Sequence, residues 1–251
     1  MRKAAGMFGS ENMISQFRGP WGVRVEIDQS LLILVGFLIY MSLGAGLIDG
    51  AIFAALLVGS ILLHELGHAW GCLVQGIDVR RVVLHGGGGF CEHARSADRT
   101  EQELIIAMGP LVNLTLWAVC GVSTWLGWLF LPDTVAYDTA LGMLTYDVLY
   151  YVSVLGWING ALFLFNMIPV QPLDGGRILH LLLLRVLPAS KAHRVAGGVG
   201  LVLSVLWIPA AIFAYVTAGW ILFFFPSPRV HWRMLKGQLA SDFARCYART
   251  C

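Results

Sequence analysis

The sequence predicts an all-α polytopic membrane protein with about six transmembrane helices and a short β-hairpin-like segment that is cytoplasmic or dips into the membrane. Of its 251 residues, 57% are hydrophobic and only 13% are charged, whereas a soluble domain carries about 25% charged residues. The mean hydropathy is +0.72. Apolar residues gather in runs of about 18 residues or more, which is the length that crosses a bilayer.

Five long apolar runs are the predicted spans, and a shorter run completes the count. The long runs are 31–48, 51–74, 104–131, 148–168 and 195–225. The shorter run, 178–187, is interrupted by Arg185 and either crosses the membrane or lies at its interface. In the second case 195–225 is a hairpin broken near Pro209. Both arrangements give an even number of spans.

The basic residues predict the orientation of these spans. Lys and Arg are frequent in 1–30, 76–103 and 226–251, whereas 132–147 contains none. Cytoplasmic loops carry the excess of Lys and Arg in membrane proteins. We therefore expect a multi-pass cell-membrane protein with both termini in the cytoplasm, and 1–30 and 226–251 as cytoplasmic tails.

The second run contains the pentad His64-Glu65-Leu66-Gly67-His68. Ionisable groups are costly at this depth and usually have a function there. Two His residues four positions apart lie about 40° apart on a helix, on one face. This is the arrangement in which two imidazoles hold one zinc ion and the intervening Glu acts as general base.

A catalytic zinc site takes three protein ligands, and Asp174 is the predicted third. A longer His-x-x-Gly-x-x-His pattern is excluded because Val74 stands where its final His, the third of the motif, would be. Three acidic residues of the polar loop are alternatives, although a solvated role suits them better: Glu92, Glu101 and Glu103. Asp174 follows two prolines after the fourth run, and that run ends on the same side of the membrane as the second.

Two segments together resemble the site-2 protease family of intramembrane zinc metalloproteases. They are HELGH at 64–68 and NMIPVQPLDGGR at 166–177, and GPLVN at 109–113 is a third matching element. The resemblance implies one Zn²⁺ per chain, held by His64, His68 and Asp174, with Glu65 as the catalytic base. The resemblance is to compact members of the family without PDZ or CBS domains, because no polar segment exceeds about 30 residues. The whole of 1–251 is then one integral membrane domain with a catalytic core at about 51–187.

The predicted function is hydrolysis of a peptide bond within or near the transmembrane segment of a membrane-tethered protein, as in regulated intramembrane proteolysis. The predicted partners are a single-span membrane protein substrate and the lipid bilayer, and not a nucleic acid. Asn166 is a candidate to stabilise the oxyanion or hold the substrate backbone, and a structural hydrogen bond to the irregular turn is the alternative.

The segment 82–90 is expected to form a hairpin or sheet edge to which an extended substrate adds as a strand. A flexible loop is the alternative. Two other functions compete with the protease: a transporter that uses intramembrane His and Asp, and a non-catalytic scaffold that retains a metal site. A transporter would scatter ionisable residues along several spans, whereas here they gather at one level. A purely structural metal site has no use for Glu65.

Overall fold

The structure is a computed structural model that describes residues 13–44, 46–130, 139–218 and 224–238. The described residues form four β-strands and seven α-helices. In chain order these are β1 (Met13–Arg18), β2 (Arg24–Asp28), α1 (Gln29–Met41), α2 (Leu47–Leu73), β3 (Val79–His85), β4 (Gly88–His93), α3 (Arg99–Phe130), α4 (Ala140–Asn166), α5 (Asp174–Val186), α6 (Ala189–Ala218) and α7 (Pro228–Leu235).

Four of these helices, α2, α3, α4 and α6, are long and apolar enough to cross a membrane. The predicted count of about six is therefore not confirmed. The first predicted run divides between α1 and the start of α2, because the chain turns at 42–44. α1 and α5 have 13 residues each, about 20 Å of helix, whereas the hydrocarbon core is about 30 Å thick.

The run that contains Pro209 is one continuous helix. α6 passes through this proline without a break, so the alternative arrangement with a hairpin broken near Pro209 is not found. A proline inside a membrane helix is tolerated because neighbouring groups satisfy the backbone bond that it removes. The run 178–187 belongs to α5, a separate short helix between α4 and α6.

The strands form one sheet in the order β1-β2-β3-β4. β1 and β2 are antiparallel, β2 and β3 are parallel, and β3 and β4 are antiparallel. The predicted hairpin at 82–90 is present as β3 and β4. β1 and β2 were not predicted, and they occupy 13–28 of the predicted N-terminal tail.

One face of the sheet packs against α1 and α2. Val25, Val82, Leu84 and Cys91 on this face form a buried cluster with Ala69 of α2. Because Ala69 directly follows the pentad, this packing fixes the sheet beside the functional part of α2. α3 contacts both α2 and α4, and α3 and the sheet flank the part of α2 that contains the pentad.

Candidate metal centre and active site

The pentad lies in the C-terminal half of α2 and is fully enclosed. His64, Glu65 and His68 expose 6%, 5% and 1% of their surface. The two His residues are one helical turn apart, so both imidazoles point toward the interface with α3 and α5. Their rings are 4.7 Å apart between centroids and nearly perpendicular.

Asp174 comes to the same place from another part of the chain. α4 ends at Asn166, an irregular segment follows, and Asp174 is the first residue of α5. Gly175 and Gly176 therefore lie in the first helical turn of α5. The N-terminal end of a helix favours a negative charge, so this position suits a carboxylate ligand.

The far end of α5 is tied to the start of α3. The Arg185 guanidinium pairs with the Glu103 carboxylate. Arg99 also donates to the carbonyl of Leu184, with the nitrogen and oxygen 3.1 Å apart. α3 carries the groups that contact both imidazoles, so these bonds fix Asp174 relative to the His residues.

Three ligand atoms converge in a triangle. The Asp174 Oδ2 atom lies 3.1 Å from His64 Nε2 and 3.4 Å from His68 Nε2, and the two Nε2 atoms are 3.1 Å apart. In a tetrahedral zinc site, bonds of about 2.0–2.1 Å place two ligand atoms about 3.3–3.4 Å from each other. The dimensions of the triangle therefore fit one Zn²⁺.

The protonation of the two imidazoles supports the same conclusion. His68 Nδ1 lies 2.8 Å from the carbonyl oxygen of Ile105, and His64 Nδ1 lies 2.5 Å from Asn113 Oδ1. Both acceptors require a proton on Nδ1, which leaves the Nε2 lone pairs facing each other and Asp174 Oδ2. That oxygen has no hydrogen-bond donor among the described residues. Three lone pairs that converge in this way form a site that could hold a metal ion.

Gly109 of α3 makes room for this centre. A Cβ atom built at this position would lie 2.4 Å from His68 Nε2 and 2.8 Å from His64 Nε2. Any side chain here would therefore displace the imidazoles. The GPLVN element thus contributes a close approach at Gly109 and a hydrogen bond at Asn113.

Glu65 lies against the sheet. A Cβ atom at Gly89 of β4 would be 2.5 Å from Glu65 Cγ and 2.8 Å from its Oε1, so the carboxylate is packed over the strand. Its Oε2 atom is buried and has no hydrogen-bond partner among the described residues. A buried carboxylate oxygen of this kind is available to accept a proton.

The remaining candidates occupy other positions. Asn166 is the last residue of α4, and its Nδ2 donates to the carbonyl of Leu162 at 3.0 Å, a bond within the helix and not to the turn. The alternative third ligands are in ion pairs elsewhere: Glu92 with Arg81, Glu101 with Arg95, and Glu103 with Arg185.

Two buried polar residues beside the centre, Ser60 and Asn159, were not predicted. Asn159 of α4 accepts a hydrogen bond from Asn113, and it donates one to Ser60 of α2. The sequence carried a signal for Asn159, because a strongly polar side chain within an apolar span usually has a partner or a function. Asn113, the last residue of the GPLVN element, joins α3 to α2 through His64.

Comparisons with known proteins agree with this geometry. A model of peptidase family M50 matches residues 52–207. The chain is 27% identical over 187 residues to a zinc metalloprotease of Methanocaldococcus jannaschii, covering 74% of this chain and 50% of that protein. It is 30% identical over 205 residues to stage IV sporulation protein FB of Bacillus subtilis, covering 79% and 65%.

The chain thus spans about half to two thirds of the length of these two curated relatives. Among solved structures, the fold is similar to that of the site-2 protease from Methanocaldococcus jannaschii, with a TM-score of 0.54 and 22% sequence identity. This similarity covers 94% of the present chain and 95% of that chain. It therefore concerns the fold as a whole.

Proposed function

The chain belongs to the site-2 protease family, peptidase family M50, and from this membership we propose that it is an intramembrane zinc metalloprotease. The proposed reaction is hydrolysis of a peptide bond within or near the transmembrane segment of a membrane-tethered protein. The observation that carries the proposal is the convergence of His64 Nε2, His68 Nε2 and Asp174 Oδ2, all buried, on one point.

These three side chains would hold one Zn²⁺, which when bound acidifies water and polarises a carbonyl group. Glu65 would act as the general base that takes a proton from the attacking water and then delivers it to the amine of the leaving peptide. Its unpartnered Oε2 supports this role. The packing over Gly89 holds the carboxylate in place without consuming its hydrogen-bonding capacity.

Asn166 remains our candidate for a donor to the oxyanion or to the substrate backbone. It stands at the end of α4, immediately before the segment that leads to Asp174. Its amide donates to Leu162, so a role in catalysis requires its second N–H group or a rotation of the side chain. A neutral donor aimed at the developing charge is what this chemistry needs.

β4 is the proposed docking strand for the substrate. It lies at one end of the four-stranded sheet, so one of its edges is unpaired within the sheet. Its Gly89 lies against Glu65, so the outermost strand of the sheet is next to the proposed base. A helical substrate must unwind before its carbonyls are accessible, and addition to a strand edge would replace the backbone bonds that it loses.

The proposed substrate is a single-span membrane protein, cut in regulated intramembrane proteolysis. Two of the three candidate ligands lie on α2, and α3 packs against them; both helices are long enough to cross the bilayer. A substrate that is itself in the membrane therefore reaches the site most directly. The basic residues of β3 and of the segment before α3 suggest that the sheet side and both termini face the cytoplasm. We further propose that the whole chain is one protease domain with its catalytic core at about 51–187.

The alternative functions are less well supported. A transporter would be expected to distribute ionisable groups along several spans, whereas the described residues contain one cluster of three metal-ligating side chains. A scaffold with a structural metal has no use for an unpartnered Glu65.

The test is a comparison of purified proteins in detergent, with zinc content and cleavage of a single-span test substrate measured on each sample. We expect Glu65→Gln to retain one zinc per chain and to lose about 10²–10⁴-fold in rate, which is the usual contribution of a general base. The matched control is Glu101→Gln, which makes the same chemical change on the surface of α3 and should leave the rate unchanged. Wild-type cleavage by Glu65→Gln, or wild-type protein without stoichiometric zinc, would contradict the proposal.

A further inference from the structure

A chain of four polar side chains joins α2, α3 and α4 beside the metal centre. Ser60 and His64 lie one turn apart on α2, and the path between them runs through Asn159 of α4 and Asn113 of α3. The Asn159 Nδ2 to Ser60 Oγ distance is 3.0 Å, the Asn113 Nδ2 to Asn159 Oδ1 distance is 2.8 Å, and the His64 Nδ1 to Asn113 Oδ1 distance is 2.5 Å. Ser60, Asn113 and Asn159 expose 1% of their surface or less, so water does not compete for these bonds.

The direction of each hydrogen bond is fixed by the far end of the chain. Asn159 Nδ2 also donates to the backbone carbonyl of Leu155 at 2.9 Å. A carbonyl oxygen can only accept, so the NH₂ group of Asn159 must be on this side. The Ser60 hydroxyl donates to the carbonyl of Leu56 at 2.8 Å and therefore accepts from Asn159. The Asn159 oxygen must consequently point toward Asn113.

The same reasoning extends to the metal ligand. Because the Asn159 oxygen accepts, Asn113 presents its NH₂ group to Asn159 and its oxygen to His64. That oxygen can only accept, so the His64 proton resides on Nδ1, and the Nε2 lone pair faces Asp174 and His68. If the Asn113 amide were reversed, the proton would move to Nε2 and block this lone pair.

We propose that Asn159 is a positioning residue that, through Asn113, sets the tautomer and ring orientation of the zinc ligand His64. This inference rests on the proposed function, because the metal that it concerns is that of the protease. His68 needs no such chain, since its Nδ1 bonds directly to the fixed backbone carbonyl of Ile105. The two imidazoles are thus oriented by different groups: a backbone carbonyl at His68 Nδ1, and side chains from two other helices at His64 Nδ1.

The test measures zinc affinity by chelator competition in the full-length protein, purified in detergent, and records the absorption spectrum of bound Co²⁺. Asn159→Leu keeps the side-chain size and removes the groups that orient Asn113. We expect zinc affinity to fall about 10- to 100-fold, the usual effect of losing a partner of a ligand, with a changed Co²⁺ spectrum. Ser60→Ala should have a smaller effect, because the Leu155 carbonyl still orients Asn159.

A double-mutant cycle separates positioning from general destabilisation. Asn159→Leu should weaken zinc binding in the wild-type background and should have almost no further effect in the Asn113→Leu background, because the chain is already broken there. An equal loss of affinity in both backgrounds would overturn the proposal, as would unchanged affinity in Asn159→Leu.

Ser204→Ala is the matched control for Ser60→Ala. Ser204 is equally buried and donates to the carbonyl four residues earlier, but it lies on α6 outside the chain of hydrogen bonds. The Ser204→Ala variant should bind zinc with unchanged affinity. A loss of zinc affinity as large as that caused by Ser60→Ala would contradict the proposal. Every readout here is metal binding. A wild-type protein that binds zinc without cleaving would therefore refute the proposed protease activity, whereas the role of Asn159 would still be tested by the zinc affinities.

Discussion

Gly109→Ala would place a methyl group against both imidazoles of the metal centre. The added methyl carbon would lie 2.4 Å from His68 Nε2 and 2.8 Å from His64 Nε2. Nonbonded carbon atoms approach to about 3.5 Å, so at least one imidazole must move by roughly 1 Å. The neighbouring carbonyl of Ile105 restrains His68, and the ring cannot turn without losing this bond.

A displacement of about 1 Å at a reacting centre costs roughly 100-fold in rate, which corresponds to about 2.7 kcal/mol of transition-state stabilisation. We therefore expect Gly109→Ala to cleave the test substrate at least 100-fold more slowly and to bind zinc less tightly. The assay is single-turnover cleavage together with zinc stoichiometry on the same preparation.

Gly121→Ala is the control for this measurement. Gly121 lies on the same helix, and a Cβ atom there would have no neighbour within 4 Å. Ala is a better helix former than Gly by about 0.5–1 kcal/mol, so this variant should be as active as wild type and no less stable. Wild-type activity and zinc content in Gly109→Ala would refute the geometry of the centre.

Three further predictions concern the ligand, the base and a helix cap. Asp174→Ala should reduce zinc retention during dialysis against a chelator, because one of three ligands is lost, and full retention would contradict its role. Gly89→Ala should keep its zinc but cleave about 10- to 100-fold more slowly, because the new methyl group would displace the Glu65 carboxylate. An unchanged rate would show that the contact between Gly89 and Glu65 does not matter for catalysis. Asp28→Ala should lower the free energy of unfolding by about 1 kcal/mol, because it removes a helix N-cap. The Ser30 hydroxyl and backbone N–H lower the pKa of Asp28 from its usual 3.8. The cap therefore stabilises the wild type fully above pH 3.8, and this stabilisation is lost as the pH falls through the lowered pKa. Thermal unfolding of Asp28→Ala should consequently depend less on acidification than that of the wild type.

The candidate metal ligands could be proposed from the sequence because the motifs that contain them are short segments. His64 and His68 need only helical spacing, which is independent of the rest of the fold. Asp174 needed more, since it comes from a helix more than a hundred residues later. Topology placed the two segments at the same side of the membrane, and the motif at 166–177 identified the residue.

The sheet and the number of spans were harder to predict for physical reasons. β1 is exposed along its whole length, so it shows no alternation of buried and exposed residues. β2 pairs in parallel with β3, more than fifty residues away, and no local signal marks such a pairing. Hydropathy alone also cannot detect the turn at 42–44 that separates α1 from α2, because the turn is no more polar than its surroundings.

The orientation of His64 depends on a network that spacing cannot reveal. Asn113 and Asn159 stand in different helices, and each is unremarkable in its own segment except for its polarity. Their hydrogen bond exists only because α3 packs between α2 and α4. The identity of such partners follows from helix packing and not from local sequence.

The position of β4 beside Glu65 has a consequence for the choice of cleavage site. Successive side chains of an extended chain point to opposite sides, so a segment lying along this edge would turn every second residue toward the enzyme and the others away. Preferences for particular amino acids should then alternate along the cut segment, with a period of two residues. If a bulky residue is introduced at each position of a model substrate in turn, it should inhibit cleavage at every second position and be tolerated at the positions between them.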